Sequence, residues 1–173
     1  VFRSMSLEEG DEVICPDFTH PATALAVVTA GGTPVLVDVD LNSRNTTAEL
    51  ISDAITEKTK AIQPVSIFGN PLDIDPINQL AKKHNLIVID DAACSLGTNY
   101  KGKPVGGLTD FTIFSFHPRK VFTCGDGGLI TTNNDAWAAK IRSMKVFGGE
   151  DGEFKNWGTN QRMSDIHGAV LLG

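Results

Sequence analysis

The chain has 173 residues, 41% of them hydrophobic, enough for one domain with a sizeable core and too apolar for an intrinsically disordered chain. Its net charge of −6 argues against a surface built for nucleic acid or an anionic membrane. Cys15, Cys94 and Cys124 are odd in number and lack CxxC spacing, which argues against structural zinc and a disulfide framework and fits a reducing cytoplasm.

In chain order, "VFRSMSLEEG" reads as the tail of a helix running into Gly10. "EVICP" reads as a short buried strand, and "HPATALAVVTAGG" as a helix with Pro21 in its first turn. "TPVLVDVD" is a second strand. "TAELISDAITEK" carries helical spacing at Leu50, Ile51, Ala54 and Ile55, with Thr47 as a candidate N-cap. "KAIQPVSIFG" reads as a third strand and "DPINQLAKKHN" as a helix closing on Lys82, Lys83 and His84. "LIVIDDAA", "DFTIFSF" and "GLITTNN" are further strands. The segment after Asp135 is helical, and Ser164 is a candidate N-cap for a last helix. "KGKPVGGLTD" and "GGEDGEFKNWGTN" read as Gly-rich loops. No apolar run approaches the ~18 residues of a bilayer span, and no secretory n-region and h-region are visible.

Strand and helix alternate at short spacing, and several strands are apolar almost throughout. That pattern predicts a doubly wound α/β domain: a mostly parallel sheet with helices on both faces. Such sheets bind ligands beyond the carboxyl ends of their strands. Asp17–His20, Ser66–Asn70, Asp90–Ser95 and Ser115–Lys120 are therefore the segments to weigh.

Asp90 and Asp91 end the strand "LIVI". Neighbouring side chains on a strand point to opposite faces, so one of the two can aim at a given site. Both could instead cap a helix that follows. Lys120 follows a strand ending in Ser115 and a turn at Pro118. At such an end a partly desolvated amine is a nucleophile, although most lysines in this setting are solvated surface residues. Ser115, His117 and the glycines of "GDGG" could form an anion cup, or the glycines could simply build a hairpin turn. Taken together, a carboxylate ending one strand, a lysine after another and a hydroxyl five positions before that lysine suit pyridoxal phosphate (PLP). The cofactor needs an amine, an acid for its ring nitrogen and donors for its phosphate.

Five blocks in one order also resemble a known family: "GDEVICPDFTHPATALAVVTAGGTPVLVDVD", "ITEKTKAIQPVSIFGNPLDID", "IVIDDAACSLGTNYKGKPVG", "DFTIFSFHPRKVFTCGDGGLITTN" and "GTNQRMSDIHGAVLLG". They resemble the DegT/StrS-type sugar-nucleotide aminotransferases, fold-type I PLP-dependent enzymes. The resemblance implies that Lys120 is the Schiff-base lysine and proton shuttle, and that Asp91 is the acid paired with the pyridine nitrogen. It implies that His20 stacks on the cofactor and Ser115 binds its phosphate. Asn160 would reach a partner subunit's phosphate with support from Arg162, giving a homodimer with a shared active site. Cys94 stands near the cofactor's phenolic oxygen, where the family often has Gln or His; a thiol is a weaker donor there. Val121 follows the lysine where Asn is common.

The activity implied is transfer of an amino group, with glutamate as donor, to a nucleotide-linked keto-sugar in deoxyaminosugar or cell-surface polysaccharide biosynthesis. Lys120 argues against the dehydratase relatives, which carry His there. The resemblance further implies that residues 1–173 form one PLP-binding large domain. Its N-terminal phosphate-binding turn and a small C-terminal domain would lie outside this sequence. A non-catalytic fragment or degenerate homologue serving as a scaffold is the alternative. A dinucleotide-binding domain is disfavoured, because no GxGxxG opens a helix.

Overall fold

A computed structural model describes residues 1–173, apart from the side chain of Glu150. In order, the elements are α1 (Phe2–Met5), β1 (Glu12–Pro16), α2 (Ala22–Val28), β2 (Thr33–Val37), α3 (Ala48–Ser52), β3 (Thr59–Ile62), α4 (Ile74–His84) and β4 (Ile87–Asp91). They continue with β5 (Asn99–Tyr100), β6 (Lys103–Pro104), β7 (Phe111–Ser115), β8 (Gly128–Thr131), α5 (Asp135–Met144), β9 (Gly149–Glu150), β10 (Glu153–Phe154) and α6 (Asp165–Leu172). Six strands form one sheet in the order β2-β1-β3-β4-β7-β8; every pairing is parallel except β7 with β8.

The near-continuous apolar strands divide their side chains between two cores. Ile14, Ile62 and Val88 pack on one face with Ile51 of α3 and Ile74, Ile77 and Ala81 of α4. Their strand neighbours Val13, Cys15, Ala61 and Ile89 pack on the other face with Phe2, Val27 and Phe111, and with Trp137 and Ile141 of α5. The period of two along each strand makes this division. Each fully buried aliphatic side chain contributes about 1.5–3 kcal/mol. Continuing the alternation, Asp90 falls on the face of Val88 and Asp91 on the face of Ile89.

The N-caps expected from the sequence are present. Thr47 and Ser164 accept from the backbone N–H of Leu50 and His167 at the starts of α3 and α6; Asn134, which the sequence reading did not single out, caps α5 by accepting from Trp137 N–H. Other boundaries moved. The third strand ends at Ile62, before Pro64, whose missing N–H cannot continue a ladder. The chain then turns through a 3-10 segment at Ile67–Gly69, with Phe68 left-handed at φ 56°. Helix α3 closes at Ser52, and Ala54 and Ile55 pack on the core from outside it. Both Gly-rich loops contain a tight hairpin, β5–β6 and β9–β10. Each turns on two positive-φ residues, Lys101-Gly102 and Asp151-Gly152, as two-residue hairpins require. Among the described residues, no helix is long and apolar enough to cross a membrane.

Candidate active site

Because β1, β3, β4 and β7 run parallel, their carboxyl ends share one edge of the sheet. Asp91 and Ser115 are the last residues of β4 and β7. The loop after β1 carries His20, and the turn after β7 carries Lys120. The Lys120 amine donates to Cys94 Sγ across 3.2 Å. That contact joins the turn after β7 to the turn after β4.

Local hydrogen bonds hold both turns. Lys120 N–H donates to the His117 carbonyl at 2.9 Å, and His117 Nδ1 accepts from Arg119 N–H at 3.2 Å. Ser115 Oγ accepts from His117 N–H at 3.3 Å. Beneath Cys94, the hydroxyl of fully buried Ser95 donates to the Ser66 carbonyl at 2.6 Å. Gly69 fits closely here: a Cβ on it would lie 3.4 Å from the Cys94 carbonyl oxygen.

The two adjacent carboxylates have separate surroundings. Asp90, 4% exposed, accepts from Ser66 Oγ at 2.9 Å. Burial pushes its carboxyl up to about 7; the Ser66 hydroxyl opposes this and the charge of Asp91 adds to it. Asp91 accepts from the Thr23 hydroxyl at 3.0 Å on Oδ2 and from Ala93 N–H at 3.3 Å on Oδ1. Burial raises its carboxyl too, against the Thr23 and Ala93 hydrogen bonds and the charges of Lys120 and His20. Of the two carboxylates, Asp91 is the one on which the charges of Lys120 and His20 act. It also pushes up the neighbouring Cys15 thiol, which burial and Asp91 together carry to about 12.

His20 is exposed, its Nδ1 accepting from Ala22 N–H at 3.2 Å. The structure thus brings Asp91, Cys94 and Lys120 together, with His20 and Ser115 on the same edge. Asn160 and Arg162 lie on an exposed segment bridged to Val146. Arg162 Nε donates to Asn160 Oδ1 at 3.0 Å. The backbone amides of "GDGG" do not form an open cup: Gly125 N–H donates to Thr123 Oγ1 and Gly127 N–H to Asp126 Oδ1. These glycines build the β7–β8 connection instead, with Gly127 O accepting from Phe116 N–H. Of the hydroxyls that hold the two carboxylates, sequence reasoning missed Thr23 and put Ser66 in a segment to weigh without giving it a role. The one available signal for Thr23 was its helical spacing from Thr19.

A sequence profile of the DegT/DnrJ/EryC1/StrS aminotransferase family matches residues 1–173. The chain belongs to this family. Among its relatives, GDP-perosamine synthase of Caulobacter vibrioides is 44% identical over 173 residues, covering 98% of this chain and 46% of that protein. UDP-2-acetamido-2-deoxy-3-oxo-D-glucuronate aminotransferase of Pseudomonas aeruginosa is 42% identical over 175 residues, covering 99% and 48%. The PLP-form of a putative sugar aminotransferase from Streptococcus pneumoniae superposes with a TM-score of 0.91 at 30% identity, over 99% of this chain and 50% of that one. The mostly parallel sheet with helices on both faces is therefore the fold of solved DegT/DnrJ/EryC1/StrS-type sugar aminotransferases. The chain spans about half the length of the curated relatives it matches.

Proposed function

We propose that the protein is a PLP-dependent aminotransferase that moves an amino group, with glutamate as donor, onto a keto-sugar carried on a nucleotide. The observation that carries this reading is the Lys120 amine held 3.2 Å from Cys94 on the edge where Asp91 ends β4. The printed names of the two relatives, one a synthase of a GDP-linked sugar and one a UDP-sugar aminotransferase, support the substrate class.

The donor set fits PLP. Lys120 offers a primary amine, Asp91 an enclosed carboxylate for the pyridine nitrogen, and His20 an exposed ring for the cofactor's face. Cys94 stands for the phenolic oxygen and Ser115 for the phosphate. Asn160, braced by Arg162, would serve the phosphate of a second copy in a homodimer. PLP supplies an aldehyde that condenses with a primary amine, losing one water, and a ring that takes up the electron pair of a broken C–H bond.

The chain's own residues do the rest. Lys120 Nζ carries a proton away from the donor's α-carbon and returns it at the cofactor's side; with the sugar it works in reverse. Asp91 would hold the ring nitrogen and, as a carboxylate, favour its protonated form. In this reading residues 1–173 are one α/β unit of a PLP-binding large domain working in the cytoplasm.

The test is a split reaction. Glutamate alone should discharge the bound PLP absorbance and release one 2-oxoglutarate per site, and a nucleotide-linked keto-sugar should restore the absorbance. No PLP absorbance at all would overturn the enzyme assignment; discharge by another amino acid but not by glutamate would overturn the donor.

A further inference from the structure

Thr23 sits in the first turn of α2, is 1% exposed, and donates through Oγ1 to Asp91 Oδ2, 68 residues away, at 3.0 Å. Thr23 reaches across to the end of β4. Its oxygen also lies 2.9 Å from Thr19 Oγ1. A threonine hydroxyl carries one proton. With that proton committed to Asp91, the contact with Thr19 has a direction: Thr19 donates to Thr23, which donates to Asp91. Thr19 and Asp91 are both partly exposed, and the buried Thr23 links them.

We infer that Thr23, backed by Thr19, is a positioning residue for Asp91: two hydroxyls donating in series hold Oδ2 in place and keep the carboxylate ionised for the pyridine nitrogen of PLP. The inference rests on the PLP reading above for its purpose, but its geometry belongs to the chain itself. Charged and titratable groups surround Asp91: Asp90 beside it on β4, Cys15 on β1, His20 before α2 and Lys120 beyond β7. Burial works to protonate Asp91, and the largest opposing influence is the Thr23 hydroxyl.

The experiment titrates the Asp91 carboxyl by carbon NMR in the cofactor-free protein, its resonance assigned by loss in Asp91→Asn. Thr23→Val removes a hydrogen bond to the ionised carboxylate, so it should raise the midpoint by about one pH unit or more. Thr23→Ser should stay near wild type, and Thr19→Val should raise it by less. PLP alone, followed by absorbance at a pH below the shifted midpoint, should bind Thr23→Val severalfold more weakly and Thr23→Ser normally. An unmoved midpoint in Thr23→Val, or an equal shift in Thr23→Ser, would overturn the inference. If Thr23→Val does not fold, partly exposed Thr19→Val decides: an upward shift supports the directed chain and none refutes it. Wild-type protein that binds no PLP would refute the cofactor reading while leaving the carboxyl titration to judge the hydroxyl chain.

Discussion

Lys120 and Cys94 meet across two turns of the chain, with Nζ donating to Sγ at 3.2 Å. The thiol is exposed, whereas Cys15 and Cys124 are buried. A thiol reagent should therefore modify one cysteine rapidly out of three in the folded protein, and peptide mapping should place the label on Cys94. PLP should slow that reaction, because the proposed site puts the cofactor against the same sulfur. Equal labelling of all three cysteines, or no protection by PLP, would count against this arrangement.

Asp90 sets a pH dependence of stability. Its folded carboxyl is raised to about 7, well above the ordinary carboxylate range. Between these limits the folded protein holds a proton that the unfolded chain has released, so stability falls as pH rises through the window and levels off above it. Asp90→Asn keeps an acceptor for Ser66 Oγ and is neutral at every pH. At about 1.4 kcal/mol per pH unit of separation, the variant should gain a few kcal/mol over wild type at pH above the window. Its slope should be shallower but not flat, since Asp91 is raised as well. Urea unfolding midpoints at about pH 5 and about pH 8 read the difference, and parallel slopes in the two proteins would contradict it.

The alternation of strands and helices was legible because strands buried on both faces must be apolar throughout, as Val13-Ile14 and Val88-Ile89 are. Lys120 and Cys94 were legible because both follow strands of one parallel sheet, whose carboxyl ends coincide. The end of β3 at Ile62 was not, since "KAIQPVSIFG" stays apolar past Pro64 while its backbone leaves the ladder. Spacing alone also could not say which of Asp90 and Asp91 faces the lysine. That depends on which face of β4 packs against α4 and which against α2. Thr23 was invisible as a site residue, because its partner lies 68 positions along the chain. The glycines of "GDGG" looked available for an anion, yet the amides of Gly125 and Gly127 are consumed by Thr123 and Asp126.

Asn160 and Arg162 brace each other on an exposed segment with the Lys120 cluster elsewhere on the chain. If Asn160 completes a partner's site, Lys120→Ala and Asn160→Ala should each be inactive alone and recover activity when unfolded and refolded together. The mixed dimer then holds one intact site, and random pairing should restore about a quarter of wild-type turnover. No recovery, despite mixed dimers seen by mass, would place Asn160 and Lys120 in the same subunit's site.

The central claim is that Lys120 carries the cofactor. PLP should be added to the purified protein, the complex reduced with borohydride, and the labelled peptide located by mass. The account predicts one phosphopyridoxyl group on Lys120, none on any residue of Lys120→Ala, and a fall in turnover of about 10²–10⁴-fold or more in that variant. A label on a different lysine, or a Lys120→Ala protein that still takes up PLP covalently and turns over, would contradict it.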